Sequence, residues 1–432
     1  MFYCDYFFIN LHRIGYFVIL FVYKRYWPKW GYKQIKNSKH MTVKVKTFQC
    51  GCGDCIFFII DGEENHFVMM IDCGNFTSEI KDFITETLVS HIDLLVVTHI
   101  DADHILGLRD MLTELPELKI EELWFNSYPR PDGNELSMTD RQKTILERLY
   151  ASKPAIMDII NVKVSTQQAI TLSEAILNHQ SAKNAWKRER IDTDKRVYAI
   201  KDGRYGKITI LSPNKKQLEV MDEKFKSLFF EFFHKEHPDV PLEKDETLFE
   251  LLQLLANELE QLEDLEGVKV AYEILSKESL TEASDHKVLK STCANEASIA
   301  FVWELQEHKI LFLGDASPKI VTESVKKHYG EGITQFDIVK VSHHGSAHGT
   351  NNELMSLINA QHFIFTGGEE DTRPHINAIA RIIIPQLSNG VEKRLLHFNY
   401  QNSWTDGLKE NVALQEELHY TVDTDNEIAY EL

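Results

Sequence analysis

The chain has no apolar run long enough to cross a bilayer. The uninterrupted stretch near its start runs only from Tyr16 to Tyr23, well short of the ~20 residues a spanning helix needs. That stretch also lacks a basic leader and a small-residue cleavage site, so no secretory signal is expected. Cysteine is scarce, with six in 432 residues. Three of the six crowd into "QCGCGDC", and no spaced framework runs along the chain. A disulfide-stapled scaffold is excluded, and a reduced cytosolic setting is favoured. Positive charge is short too: 47 Lys and Arg stand against 66 Asp and Glu, a net charge of −19. So acidic a body repels a polyanion unless cations are gathered at one place, which excludes broad, non-specific duplex binding. No internal repeat or low-complexity tract suggests a solenoid or a fibre.

What is present is ordinary globular composition, 43% hydrophobic and 26% charged, enough for one large domain or two moderate ones. Residues 1–40 carry a charge of about +6 against about −25 for the rest. They are aromatic and apolar but interrupted at His12 and Arg13. We read them as an extension outside the domain, with a surface anchor through Lys24, Arg25 and Lys29 as the alternative. No firm membrane association is expected. The domain is taken to run over 41–432, opening with "TVKVKTF". Short apolar runs then recur: "CIFFII", "FVMMID", "DLLVVTH", "KITILSP", "SIAFVWEL", "KILFLGD", "FDIVKVSHH" and "HFIFTGG". They read as strands, several buried on both faces. Helical patterns such as "SEIKDFITETLVS" and "HINAIARIIIPQL" lie between them, which predicts an α/β fold with layered sheets. Two segments interrupt this rhythm, at about 127–200 and 214–292, and both read as helical inserts. The second is strongly acidic and amphipathic, a solvated face or a docking surface for a partner protein.

The chemistry is expected outside the inserts. "VVTHIDADHILG" sets His99, Asp101, Asp103 and His104 within six positions where a buried run ends. Imidazole and carboxylate donors at this spacing suit Zn²⁺, with Mn²⁺ or Fe²⁺ also compatible. The competing interpretation is a helix N-cap by Asp101 or Asp103 with incidental histidines. Three further places argue for a joint site: Asp315 in "ILFLGDASP", His343, His344 and Ser346 in "VSHHGSAHGT", and His375 in "TRPHINAIARI". Each borders a buried element, so all can meet along one rim. The "QCGCGDC" cluster reads as a glycine turn rather than a thiolate metal site, because no second Cys pair accompanies it.

These stretches together resemble the metallo-β-lactamase-fold hydrolases, and most of all the hydrolase domain of the bacterial competence DNA-uptake channel. "GCGDCIFFI" is similar to that family's first glycine turn, "MIDCGN" to its Asp-x-Gly turn, and "THIDADHILG" to its His-x-Asp-x-Asp-His variant. "LFLGDAS", "VKVSHHGS" and the closing "TVDTDNEIAYEL" follow in order, with the two inserts unmatched. The resemblance implies an αββα sandwich and a dinuclear centre holding two divalent ions, Zn²⁺ first and Mn²⁺ second. It assigns His99 and Asp101 to one ion, Asp103, His104 and His375 to the other, and Asp315 as the bridge. His343 would replace the third-motif histidine absent near "KITILSP". Asp72 and Asp54 would brace the ligands from behind. Asp103, His343, His344 and Ser346 form the implied catalytic set, with His344 as proton donor and Ser346 as hydrogen-bond donor.

The expected reaction is hydrolysis by a metal-bridging hydroxide of a phosphodiester or other small anionic substrate, nucleotides and single-stranded nucleic acid included. Hydrolysis of a lactone, thioester or β-lactam on the same ions is the alternative. A regulatory subunit that binds a partner protein through the acidic insert is the third reading.

Overall fold

The computed structural model describes residues 42–62, 65–127, 171–195, 197–230, 249–250, 275–288, 291–368, 373–388 and 390–431. The chain divides into two units, Met1–His40 and Met41–Leu432. The expectation for the first unit, and for most of the acidic stretch at 231–274, falls outside the described residues.

Short, largely apolar runs build the second unit. One sheet contains β1 (Thr42–Thr47), β2 (Ile56–Gly62), β3 (Asn65–Ile71), β4 (His91–Val97) and β5 (Lys119–Phe125). The other contains β6 (Val197–Ala199), β7 (Lys207–Ser212), β8 (Ala300–Leu305), β9 (His308–Phe312), β10 (Thr334–Lys340), β11 (Ile358–Phe365), β12 (Arg394–Phe398) and β13 (Tyr420–Asp423). The last strand, β14 (Glu427–Glu431), returns to the first sheet, whose order is β14-β1-β2-β3-β4-β5. The second sheet runs in order from β13 to β6.

Successive side chains point to opposite faces of a strand, and both faces of these strands are apolar. Val43, Val45, Phe58, Met69 and Val96 from the first sheet meet Phe301, Trp303, Phe312 and Ile338 from the second in one core. The residues between them face outward. Phe57, Val68 and Met70 pack with Ile105, Leu108 and Met111 of the helix Ala102–Glu114. Val302, Leu311 and Phe363 pack with Val321 and Ile379 of the helices Pro318–Tyr329 and Ile376–Ile383. Three cores separate four layers, helix, sheet, sheet and helix.

Strands β5, β6, β12 and β13 were not among the runs read as strands, and each lies toward the edge of its sheet. The closing "TVDTDNEIAYEL" is two strands rather than one. β13 pairs parallel with β12, and β14 pairs antiparallel with β1 in the other sheet. A run of Asp and Asn between them breaks the strand and lets the chain change sheets.

The described ends of both inserts pack on the body. Leu172, Ile176, Leu218, Met221 and Phe225 join the outer core of the first sheet, and Leu280 and Ala283 join that of the second. The two inserts also touch each other. Buried Glu250 accepts the backbone N–H groups of Leu172 at 2.7 Å and Ser173 at 2.9 Å, capping the start of the helix Leu172–Asn178 from the other insert. Among the described residues, no helix is long and apolar enough to cross a membrane.

The strands β9 and β10 are parallel and in register, with Lys340 opposite Phe312, so they end at one rim. The end of β4 is tied to that rim by a bond from the Ile299 N–H to the Thr98 carbonyl, 2.9 Å long. Three chain ends with polar sequences are thus delivered to one place.

Trp303 is the largest fully buried side chain. Its indole N–H donates to the Tyr205 carbonyl at 2.8 Å, and its ring packs against Phe58 and Phe67. Trp303→Ala is expected to cost about 3–5 kcal/mol through the cavity it leaves. Urea denaturation followed by circular dichroism measures this, and a loss under about 1 kcal/mol would contradict the two-sheet core.

Candidate metal centre

The turn after β4 leads into the helix Ala102–Glu114. Asp101 occupies the N-cap position, with φ −71° and ψ 146°, yet its side chain makes no capping hydrogen bond. Its Oδ2 lies 3.4 Å from His99 Nε2 instead. The simple helix-cap explanation of this motif therefore fails. Asp103 and His104 follow in the first helical turn, where the helix dipole favours a carboxylate.

After β9, the Asp315 N–H donates to the Ser298 hydroxyl at 3.1 Å. After β10, the His343 N–H donates to the Gly314 carbonyl at 2.9 Å, stitching the two turns together. His343, His344 and Gly345 then adopt left-handed φ values of 52°, 54° and 80°. Each non-glycine residue held there costs on the order of 1–3 kcal/mol. The strained turn sends the two rings different ways: the His344 side chain is fully buried and that of His343 is 23% exposed.

Asp315 Oδ2 is the hub. It lies 3.9 Å from His99 Nε2, 3.4 Å from His104 Nε2, 3.8 Å from His343 Nε2 and 3.5 Å from His344 Nε2. Asp103 Oδ2 lies 3.8 Å from His104 Nε2 and 3.4 Å from His344 Nε2. Two overlapping donor groups result, His99 with His104 and Asp315, and Asp103 with His104 and His344.

The atoms behind each ring decide which nitrogen faces inward. Asp72 is itself left-handed, at φ 54°, and its Oδ2 lies 2.8 Å from His104 Nδ1 and 2.5 Å from the Thr98 hydroxyl. That hydroxyl is 2.9 Å from His99 Nδ1. Asp54 Oδ1 lies 3.1 Å from His344 Nδ1; the Thr366 hydroxyl donates to the same carboxylate, and the Lys340 ammonium pairs with it. The Nδ1 atoms of His99 and His104 are hydrogen-bonded, that of His344 lies beside Asp54, and the Nε2 atoms of all three are turned into the cluster. The Nε2 atoms of His99, His104 and His344 are buried with no hydrogen-bond partner. Buried polar atoms are rarely left so. Inward imidazole nitrogens beside carboxylate oxygens are the donors that divalent transition metals take. The residues present therefore fit a pair of cations.

The electrostatics agree. Burial disfavours charge on Asp315, but the rings of His344, His104 and His343 outweigh it and hold the carboxyl well below its usual range. At Asp103 burial is likewise overcome, by His104 and His344. Burial at Asp54 is overcome by Lys340 and His344. Burial opposes a charged His104, yet Asp315, Asp103 and Asp72 raise its pKa well above the ordinary value, and Asp315 and Asp54 raise that of His344 in the same way. The carboxylates that favour a charged His104 and His344 are thus the ones a cation would meet.

His375 lies beside the turn that carries His344, its backbone N–H donating to the Gly345 carbonyl at 2.9 Å. It is half-buried at the start of the helix Ile376–Ile383, where its Nδ1 accepts the Ala347 N–H at 2.9 Å. The structure groups His344 with Asp103 and His104, the left-handed turn rotating this second histidine inward. His344, to which the resemblance gives the proton-donor role, is fully buried, with its Nε2 3.4 Å from Asp103 Oδ2 and 3.5 Å from Asp315 Oδ2. Ser346 is buried, and its hydroxyl accepts the His348 N–H at 3.3 Å. Sequence reasoning missed Thr98, Thr366 and Lys340. For Lys340 a signal existed, a lysine inside the otherwise apolar end of "FDIVKVSHH".

The glycine turn lies directly beneath the motif. A Cβ on Gly53 would fall 1.5 Å from the Asp103 carbonyl oxygen, so only glycine lets the two turns approach. Cys50 and Cys55 are buried, with burial raising both thiols well above their usual pKa. Among the described residues no cysteine joins a donor group. A further His91, Asp93 and Glu121 group has its charge met by Lys201, which pairs with both carboxylates.

Residues 52–123 match the family model described as "Metallo-beta-lactamase superfamily", a stretch that contains the glycine turn, Asp72 and the whole His99–His104 motif. The protein carries a metallo-β-lactamase fold, of mixed α and β content and built on two sheets. No curated protein matches the chain. Seventeen chains of solved structures do, among them a mutant of CmlA beta-hydroxylase and CmlA itself, described as a diiron beta-hydroxylase from Streptomyces venezuelae. The first is 10% identical with a TM-score of 0.35, and the second 9% identical with a TM-score of 0.34. The matches cover 90% and 91% of this chain but 54% of each of those, so it spans about half their length.

Metal loading should release protons. Because His104 and His344 are held protonated in the free cluster, apparent Zn²⁺ affinity should climb as pH rises through their raised pKa values. It should then level off, with a slope of about tenfold per pH unit for each proton displaced. Titrations between pH 6 and 9 check this, and a flat profile would contradict the arrangement. Replacing Cys50, Cys52 and Cys55 together by Ser should leave metal content unchanged by elemental analysis; loss of metal from a folded variant would restore the thiolate reading.

Proposed function

We propose that this protein is a dinuclear metal-dependent hydrolase of phosphodiesters, acting on nucleotides or single-stranded nucleic acid. The observation that carries the reading is Asp315 Oδ2, shared at 3.4–3.9 Å by four imidazole nitrogens. His99, Asp101 and Asp315 would hold one ion, and Asp103, His104, His344 and Asp315 the other. When bound, two divalent ions, Zn²⁺ or Mn²⁺, acidify a water and draw charge from the oxygens of the scissile group.

The chain's own residues account for the rest. Asp72 with Thr98, and Asp54 with Thr366, hold the ligand rings in one orientation, so little reorganisation is needed on binding. His343 is the histidine of the cluster that reaches solvent, and it is suited to contact a substrate oxygen at the mouth. Arg373 lies close enough to act electrostatically on both Asp103 and His343, which supplies a fixed cation for an anionic substrate. The carboxylate-rich donor set favours ions that handle phosphate oxygens well. The resemblance to the hydrolase domain of competence DNA-uptake channels points to nucleic acid as the polymer. No disulfide joins the described cysteines, and Cys50, Cys55 and Cys73 are buried, which suits work in the cytosol.

With Mn²⁺ or Zn²⁺ the protein should cleave bis-p-nitrophenyl phosphate and leave a chromogenic β-lactam almost untouched. His344→Ala should strip at least one ion. His343→Ala should keep both and lose roughly tenfold to a hundredfold in kcat, the scale of one transition-state contact. β-Lactam or lactone turnover without phosphodiesterase activity would replace this reading with the alternative chemistry. Inertness toward all three classes would favour a partner-binding role.

A further inference from the structure

Lys340 is fully buried at the end of β10. Lysine is almost never buried unless its charge is met, and here the partners are specific. Its ammonium pairs with Asp54 Oδ2, donates to the Gly314 carbonyl at 3.3 Å and lies 3.8 Å from Asp315 Oδ1. The Phe312 ring, opposite in register, sits 5.5 Å from it. An ion pair placed here for stability alone would gain little, because apolar side chains of similar volume commonly do as well.

The two carboxylates it touches have different tasks. Asp54 turns its other oxygen to His344 Nδ1, and Asp315 turns its other oxygen to the four imidazole nitrogens. In both cases Lys340 lies beside the remaining oxygen, paired with Asp54 Oδ2 and 3.8 Å from Asp315 Oδ1. The charges point the same way. Asp54, Asp72, Asp101, Asp103 and Asp315 bring five negative charges to the centre, and two divalent ions match four of them. Fixed positive charge is left to meet the rest: Arg373 acts on Asp103 and His343, and Lys340, fully buried, pairs with Asp54 and lies 3.8 Å from Asp315.

We propose that Lys340 is a positioning residue for the dinuclear centre. By holding Asp315 Oδ1 and Asp54 Oδ2, it leaves a single oxygen of Asp315 to face both ions and keeps Asp54 behind His344. This rests on the dinuclear reading above.

The test uses the full chain as wild type, K340M, D54N and the double variant K340M/D54N, each loaded with Zn²⁺ alone. Zinc content after dialysis and affinity by chelator competition are measured, with circular dichroism to verify folding. K340M is expected to lose at least tenfold in affinity for the second ion. The double variant should recover most of that loss, because no unmatched charge is left buried and the amide oxygen introduced by D54N can still face His344. Should K340M not fold, K340Q takes its place in the same comparison. Wild type with two ions and K340M with two ions at unchanged affinity would overturn the role of Lys340 alone. So would a double variant no better than K340M, the additive result of a merely structural residue. A wild type that binds no zinc would overturn the dinuclear reading and this inference with it.

Discussion

Five carboxylates gathered at one rim of a folded protein repel one another, and every other feature of this centre answers that constraint. Their negative field draws protons onto His104 and His344 when nothing better is present. The rings of His104 and His344, with Lys340, in turn hold the carboxyls of Asp54, Asp103 and Asp315 well below their usual range in spite of burial. A site of this kind is strained when empty and relieved by cations. Folding energy from three apolar cores is what holds the like charges together.

The backbone contributes where side chains alone would not suffice. Asp72, His343 and His344 all sit in left-handed conformations, which non-glycine residues seldom adopt. The strain falls on residues that must be aimed, a pattern expected of functional sites. Around them the sheets are regular, and rigid strands end at the same level. Division of labour follows from this: sheets set the distances between turns, and the turns set the directions of the rings.

The inserts take part in the same burial. Each outer sheet face would expose apolar side chains if the helices of the inserts were removed, since Leu218, Met221 and Phe225 complete one core and Leu280 and Ala283 the other. Glu250 joins the two inserts through the start of the helix Leu172–Asn178. They therefore belong to the folded body at their described ends.

The fold class was legible in the sequence, and so were most residues of the His/Asp cluster. Period-two apolar runs cannot be satisfied except by layered sheets, and His99, Asp101, Asp103, His104 and Asp315 announce themselves by crowding polar groups where such runs stop. Edge strands were less legible because β6 and β13 are short and half-polar. The division of "TVDTDNEIAYEL" between two sheets depends on which neighbours are free to pair, which no local pattern records. Tertiary structure alone showed that His344 joins Asp103 and His104. Adjacent histidines at 343 and 344 look equivalent in sequence, and only the left-handed turn buries one and leaves the other partly exposed; a side chain at Gly345 in that turn would collide with Pro374 and Phe365. It also decided the place of Lys340, since a lysine in a strand reads as solvated until the chain folds and closes Asp54 and Asp315 around it.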